Sequence, residues 1–369
     1  MGFFLQCCNP IFLIEIILTF VGYYRAVMPS LTTDILENDI LRRWPEVLQT
    51  LLIDHTTHRN IIWATDMYVA KFGETYSFSN EILVEQITGD FGEVIKPRSV
   101  KPKEEQDFRV KDKAEVFTPS WICNAQNNLV DEAWFGRKNV FNTEINNEDG
   151  SRTWEPTTDP ITFPEGKTWK DYVRDTRLEI TCGEAPYLVS RYDTTTGDII
   201  PVERRIGLLD RKLRVISENT TTTGEWLDAA QTAYQNIYGY EWQGDNLLLA
   251  RENLLYTFID FYTAKFSKEP MMKSVNYIAY IISWNLWQMD GLKFVVPGSC
   301  HNVESKNQDG QQLDMFSTDV PVQLSLKIMP CPGCAEDNMY KHNGHYCLIR
   351  DWHTKDKKKV RYIDLFKHQ

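Results

Sequence analysis

The sequence predicts an α/β domain in which helices cover a mostly parallel sheet. An α+β extension precedes it and a small Cys/His hairpin follows. Three observations carry this expectation. From about Leu178 onward, strand-like apolar runs alternate with helical patterns, the rhythm of βα units. Within that rhythm, "LEITCGEAPYL" (Leu178 to Leu188) sets a Cys-Gly pair directly after an apolar, acidic strand, then restores an aromatic and a leucine as if a helix begins. Strand, tight glycine turn and helix start together form an arrangement that receives the charged end of a ligand. Near the C-terminus, "CPGCAEDNMYKHNGHYC" gathers three cysteines and two histidines within one short hairpin-like stretch.

The elements follow in order. Residues 1–27 contain an apolar run from Ile11 to Tyr24 that carries Glu15 and lacks a basic leader. It is shorter than the roughly 20 apolar residues of a clean membrane span. Because Met28 opens a polar start with helix caps, residues 1–27 read as an upstream in-frame extension, with a signal anchor as the alternative. Residues 28–113 form the α+β extension. Apolar positions from Leu31 to Leu48 recur at helical spacing and predict a helix over about 30–50. "NIIWATDMY" predicts a strand, and "EILVEQITGDFGEVIKPR" a hairpin turning at Gly89-Asp90. The charged stretch "VKPKEEQDFRVKDKAEVFTP" marks a boundary or a charged helix. Residues 114–300 form the main domain, interrupted by a polar insertion at 142–167 whose Asn, Asp, Thr, Pro and Gly content predicts a surface loop. Residues 301–369 form a polar tail ending in the Cys/His hairpin.

Composition sets outer limits. With 42% hydrophobic and 25% charged residues the chain is an ordinary globular protein, long enough at 369 residues to bury a real core. A formal net charge of −11 argues against nonspecific coating of nucleic acid, which is driven by Lys and Arg releasing counterions. Local basic patches remain at Lys96 to Lys103, Glu203 to Arg214 and Lys355 to Arg361, each read first as a solvated charged face. The eight cysteines are scattered and do not make a secreted disulfide framework, which points to a reducing cytoplasm. There is no G-x-S-x-G, H-E-x-x-H or G-x-x-x-x-G-K motif, and no convincing nuclease trio of acids and lysine.

Four boxes stand in a set order: "AEVFTPSWICNAQNNLVDEAWF", "LEITCGEAPYL", "NIYGYEWQGDNLLLARENLL" and "WNLWQMDGL". In this order they resemble adenine-specific DNA methyltransferases, the amino-methylating enzymes that include modification subunits of restriction systems. The matched span runs from about Glu115 to Leu292, and the chain from Met28 onward is similar to bacterial proteins called restriction endonuclease subunit M. The resemblance implies a class I, Rossmann-like sheet that binds S-adenosylmethionine. It places Phe117, Thr118 and Pro119 on the cofactor side, Glu179, Cys182 and Gly183 in the cofactor turn, Glu241 on the ribose hydroxyls and Asp290 near the adenine. It further implies DNA as a partner and a restriction or specificity subunit as a possible second one.

Two departures qualify it. Glu184-Ala185-Pro186 stands where the family has a second glycine, which puts a carboxylate beside the expected cofactor site. No Asn/Asp-Pro-Pro-aromatic tetrad, the group that holds the flipped adenine, follows Asp290. No catalytic residue is therefore assigned, and a noncatalytic subunit that keeps the fold stands as the alternative. Cys331, Cys334, His342, His345 and Cys347 offer five donors for a four-coordinate structural zinc, with "CPGC" as the knuckle.

Overall fold

The computed structural model describes residues 33, 37–113, 115, 117–306, 326–354 and 356–367. The apolar N-terminal run, and most of the polar stretch at 302–319, lie outside the described residues.

The predicted N-terminal helix is two helices, α1 (Glu37–Arg43) and α2 (Pro45–Leu52), broken at Trp44 because Pro45 has no N–H to continue the first ladder. A two-residue antiparallel pair follows, β1 (Ile53–Asp54) with β2 (Arg59–Asn60). The hairpin expected around Gly89-Asp90 does not form. After a short helix α3 (Val69–Phe72) that precedes the stretch, its residues make a short helix α4 (Val84–Ile87) and a 3-10 turn at Gly89–Phe91. The apolar residues of that stretch are held by local turns: Leu83 N–H donates to the Gln86 side chain, and Asn38 bonds both the N–H and the carbonyl of Gly89. The charged segment is helix α5 (Lys103–Lys113). The long helix α6 (Ser120–Phe135) ends at Gly136, whose φ of 69° supplies the left-handed cap. The insertion expected as a loop begins as an antiparallel hairpin, β3 (Asn142–Asn146) with β4 (Arg152–Pro156), before running on irregularly.

Helix α7 (Trp169–Arg174) leads into β5 (Arg177–Glu179), the first strand of a parallel sheet. Its partners are β6 (Ile237–Glu241) and β7 (Leu286–Gln288), in the order β5-β6-β7. The β5–β6 connection contains α8 (Leu208–Asn219) and α9 (Thr223–Gln235), and the β6–β7 connection contains α10 (Gly244–Phe266) and α11 (Met272–Asn285). Thr222 opens α9 with a capping box, accepting from Glu225 N–H while the Glu225 carboxylate accepts from Thr222. Helix α10 is buried all round from Gly244 to Tyr262, as befits a helix enclosed by others. The chain closes with β8 (Val303–Lys306) paired to β9 (Leu326–Met329), the one-turn helix α12 (Pro332–Glu336), and the hairpin of β10 (Leu348–Arg350) and β11 (Lys359–Arg361). The fold is thus mixed α/β, with a three-stranded parallel sheet among the described residues.

The expected segments share their cores. Ile40, Val47 and Leu51 of the extension lie in one buried cluster with Leu254, Ile278 and Leu286, and Trp352 of the tail joins it. A second cluster packs Cys347, Ile349 and Tyr362 of the tail against Tyr240 and Trp287 of the sheet.

Two of the three basic patches are not solvated faces. In Glu203 to Arg214, Arg205 pairs with Asp260 at 2.6 Å and Arg211 with Asp131 at 2.6 Å, and buried Lys212 donates to the carbonyls of Val173 and Asp175. In Lys96 to Lys103, Lys101 is buried within 3.7 Å of Asp245. Only the third, with Lys357, Lys358, Lys359 and Arg361, stands exposed as a group.

Candidate functional site

The carboxyl ends of β5 and β6 open onto a cavity of about 830 Å³, a volume suited to a nucleoside-sized ligand. Its floor is the turn that follows β5. There Thr181, Gly183 and Ala185 take φ values of 45°, 53° and 63°, so alternate residues are left-handed. A side chain at Gly183 would meet Phe117 only at ordinary van der Waals distance, 3.6 Å; the glycine is required by its φ, not by lack of space. The turn is stitched to the neighbouring strand, since Cys182 N–H donates to the Tyr240 carbonyl at 2.9 Å. Gly239 makes room for this: a Cβ there would lie 3.3 Å from the Cys182 sulfur. Burial pushes the Cys182 thiol well up, so it acts as an apolar wedge.

Glu241 ends β6 and ties the two strand ends together. One oxygen accepts Gly183 N–H at 2.9 Å and the other accepts Gln243 N–H at 3.2 Å. Glu179 ends β5 and accepts the N–H groups of Tyr187 and Leu188. Burial pushes both carboxyls up, Glu179 to about 8 and Glu241 to about 7, against the lowering effect of those backbone donors. Phe117, Thr118, Glu179, Cys182, Gly183 and Glu241 therefore face one cavity.

Pro119 and Asp290 are not among its lining residues. Pro119 stands at the cap of α6. Asp290 is turned into its own loop, accepting Leu292 N–H at 3.0 Å and Lys293 N–H at 3.1 Å, with the Lys293 ammonium 3.5 Å from its other oxygen. Glu184, which with Ala185 and Pro186 replaces the Ser-Gly-x of the resembled family, does not face the cavity either. It is buried, accepting the Arg98 N–H and the Tyr192 hydroxyl, each at 2.7 Å. The helix expected directly after the turn is also absent: the chain makes one turn through Val189, and α8 begins only at Leu208.

Residues not anticipated complete the lining, among them Phe78, Glu115, Trp242, Gln243 and Asn246. Glu115 is positioned by Arg109, which donates at 2.9 Å, and by the Gln243 amide at 3.2 Å. Glu115 Oε1, Gln243 Oε1 and Asn246 Oδ1 are buried with no protein donor. Glu115, Gln243 and Asn246, with the carboxyls of Glu179 and Glu241, make the lining rich in acceptor-bearing side chains, which suits a ligand with N–H and O–H donors or positive charge. Their sequence signal was adjacency: Glu115 opens the first box, and Gln243 and Asn246 directly follow Glu241 where α10 begins.

A second cluster lies in the tail. The sulfurs of Cys300, Cys331 and Cys334 and Nδ1 of His342 all lie within 4.8 Å of one another. Of the five expected donors, His345 and Cys347 are outside it. His345 is exposed and its N–H is spent on Ser299 Oγ, while the Cys347 sulfur points into the core and donates to the Gln288 carbonyl at 3.3 Å. Cys300, in "GSCHN", takes a place in the cluster that the sequence offered no spacing rule to assign.

Among the described residues, no helix is long and apolar enough to cross a membrane. Comparison with protein-family models, with curated protein sequences and with solved structures returns no match.

Proposed function

We propose that the chain binds S-adenosylmethionine in the cavity at the carboxyl ends of its parallel strands. We propose further that it works as, or in support of, a DNA methyltransferase acting on the adenine amine in a restriction-modification or phage-defence setting. The observation that carries the reading is the meeting of the Gly183 turn and Glu241 at the floor of that cavity. Open α/β sheets bind their ligands outside the carboxyl ends of the strands.

The residues fit the cofactor in kind. Each Glu241 oxygen accepts one backbone N–H and keeps a lone pair, so the carboxylate has capacity for two ribose hydroxyls. The acceptor-bearing side chains of Glu115, Gln243 and Asn246 in the lining suit the ammonium of the methionine end and the adenine amine. Phe117 offers an aromatic face beside Gly183. When bound, S-adenosylmethionine supplies a methyl group activated for direct transfer. The protein's share is to position the partners, exclude water and hold donors and acceptors in place. Exposed Lys357, Lys358, Lys359 and Arg361 are the basic surface best placed to meet DNA phosphates.

The second reading, a noncatalytic subunit that retains the fold and binds DNA or a partner protein, is favoured by one specific observation. No tetrad to hold a flipped adenine follows β7, and Asp290, which the resemblance sets near the cofactor's adenine, is satisfied within its own loop. Calorimetric titration of S-adenosylmethionine into the chain beginning at Met28, with Glu241→Ala alongside, tests the cofactor. Micromolar affinity lost in the variant supports it, and absence of binding to the parent protein removes it. Methylation of plasmid DNA by the purified chain unaided separates the enzyme from the subunit.

A further inference from the structure

We infer that Cys300, Cys331, Cys334 and His342 form a tetrahedral structural zinc site that staples the loop after β7 to the segment from α12 to β10. The proposal is independent of the cavity and its ligand. Nδ1 of His342 lies 3.6 Å from each of the three sulfurs. A tetrahedral zinc with Zn–S of about 2.3 Å and Zn–N of about 2.05 Å places nitrogen and sulfur roughly 3.6 Å apart, and sulfur and sulfur about 3.8 Å apart. Hydrogen bonding does not account for three equal distances, because one imidazole nitrogen has one lone pair and accepts one S–H. A central cation does. No pair of these sulfurs is bonded; Cys300, Cys331 and Cys334 are free thiols.

The surroundings are shaped to the cluster. In the "CPGC" turn, a Cβ at Gly333 would lie 2.5 Å from His342 N and 2.6 Å from its Nδ1, so only glycine lets the imidazole settle over the knuckle. Asn343 N–H donates to the Cys331 sulfur at 3.3 Å, the kind of bond that stabilises a thiolate. The Asn343 side chain grips the loop carrying Cys300 at both backbone groups of His301, accepting its N–H at 3.1 Å and donating to its carbonyl at 2.7 Å. A Cβ at Gly344 would meet Ser299 Oγ at 2.5 Å, a second close approach of the two segments. Four protein donors leave no open position, which marks the site as structural. The staple also reaches toward the cavity, since Gly298, two residues before Cys300, packs against Phe78 in the lining.

The test is metal analysis of the full chain purified without chelator, followed by cobalt substitution. About one zinc per chain is expected, lost in Cys300→Ser and retained in His345→Ala. The cobalt form of the parent protein should show tetrahedral d–d bands with charge transfer from three thiolates, a readout that does not depend on any variant folding. Absence of stoichiometric zinc, retention in Cys300→Ser with loss in His345→Ala, or a two-thiolate cobalt spectrum would each overturn the assignment.

Discussion

Asp245, at the start of α10, is the carboxylate on which the extension is docked, and Asp245→Asn tests how much that docking contributes. The Asp245 and Arg109 side chains are both 0% exposed and in direct contact, and Lys101, 3% exposed, lies 3.7 Å away. The Tyr68 hydroxyl donates to the same carboxylate oxygen at 2.7 Å. Burial opposes the charge on Asp245, but Arg109 and Lys101 outweigh it and hold the carboxyl far below the usual range. The amide of Asn keeps the volume and removes the charge, leaving two buried cations with Glu115 at 2.9 Å and the partly exposed Glu105 at 3.6 Å from Arg109 as the remaining acids. Removing one partner of a buried ion pair costs about 3–5 kcal/mol. At roughly 1.3 °C per kcal/mol for a chain of 369 residues, the midpoint falls by about 4–6 °C. Urea unfolding by far-UV circular dichroism gives the first quantity and calorimetry the second.

The sign with pH follows from the depressed value. The stabilisation is present above the ordinary carboxylate range and is lost only as pH falls through the lower folded value, so the gap between parent and variant should persist at about pH 5. Lys101→Met in the Asp245→Asn background relieves one orphaned cation and should recover part of the loss. A variant within about 1 kcal/mol of the parent would refute the argument that this network carries the docking.

Three further outcomes are expected. Glu179 and Glu241 have raised folded values, about 8 and about 7, so the native state binds more protons than the unfolded chain and stability should fall as pH rises from about 4.5 to about 8. A cationic ligand reverses the penalty: S-adenosylmethionine affinity should rise over the same window with release of protons, measurable by calorimetry in buffers of differing ionisation enthalpy, and a flat profile would count against both carboxyls. Glu184→Ala should cost about 2–4 kcal/mol by stranding Arg98 N–H and the Tyr192 hydroxyl in a cavity, whereas Glu184→Gln, which keeps an acceptor and a donor, should stay within about 1 kcal/mol and leave ligand affinity unchanged. Gly298→Ala combines a φ of 69° with a Cβ 2.7 Å from the Phe78 ring; a loss of about 1–3 kcal/mol and a weakened ligand affinity are expected, and an unperturbed titration would show that Phe78 does not shape the cavity.

What is legible in the sequence sits mostly at strand ends. Glu179, Cys182, Gly183 and Glu241 face one cavity because parallel strands set their positions, and Phe117 and Thr118, in the segment before α6, join them there. Proximity to a strand end is not sufficient. Asp290 lies only two residues beyond β7, yet the N–H groups of Leu292 and Lys293 capture it, a local choice that no spacing announces. The run Glu203 to Arg214 reads as a solvated face because its charges are dense, but each buried cation has its partner far along the chain, Asp260 for Arg205 and Asp131 for Arg211. Cys300 failed for the same reason: thirty-one positions separate it from Cys331, and its place depends on the Asn343 clamp on the neighbouring His301. The Gly89-Asp90 hairpin was a misreading of turn residues that instead serve a 3-10 turn held by Asn38.

Glu184 joins these strands of reasoning. On the resemblance alone it is a defect, a carboxylate set against the carboxylate of the cofactor. In the fold it turns the other way, because the left-handed φ of 63° at Ala185 carries the chain over and sends the preceding side chain inward. There it meets Arg98, from the segment before α5, and Tyr192, whose hydroxyl is also bonded by Asn253 of α10 at 3.1 Å. The carboxylate beside the replaced glycine is thus a socket between the extension, the turn and the central helix. Arg98 in turn lies 5.2 Å over the Phe117 ring at the cavity wall. An extension docked at this point explains why Glu115 and Lys111, from the end of α5 and just after it, help line a cavity that the sheet alone would leave open on that side. The extension is therefore part of the site: a chain truncated at the boundary suggested by the charge run, near residue 113, would lose Lys111, the Arg109–Asp245 pair and the Glu184 partner together. It should fail to bind ligand for want of a wall even where the sheet still folds.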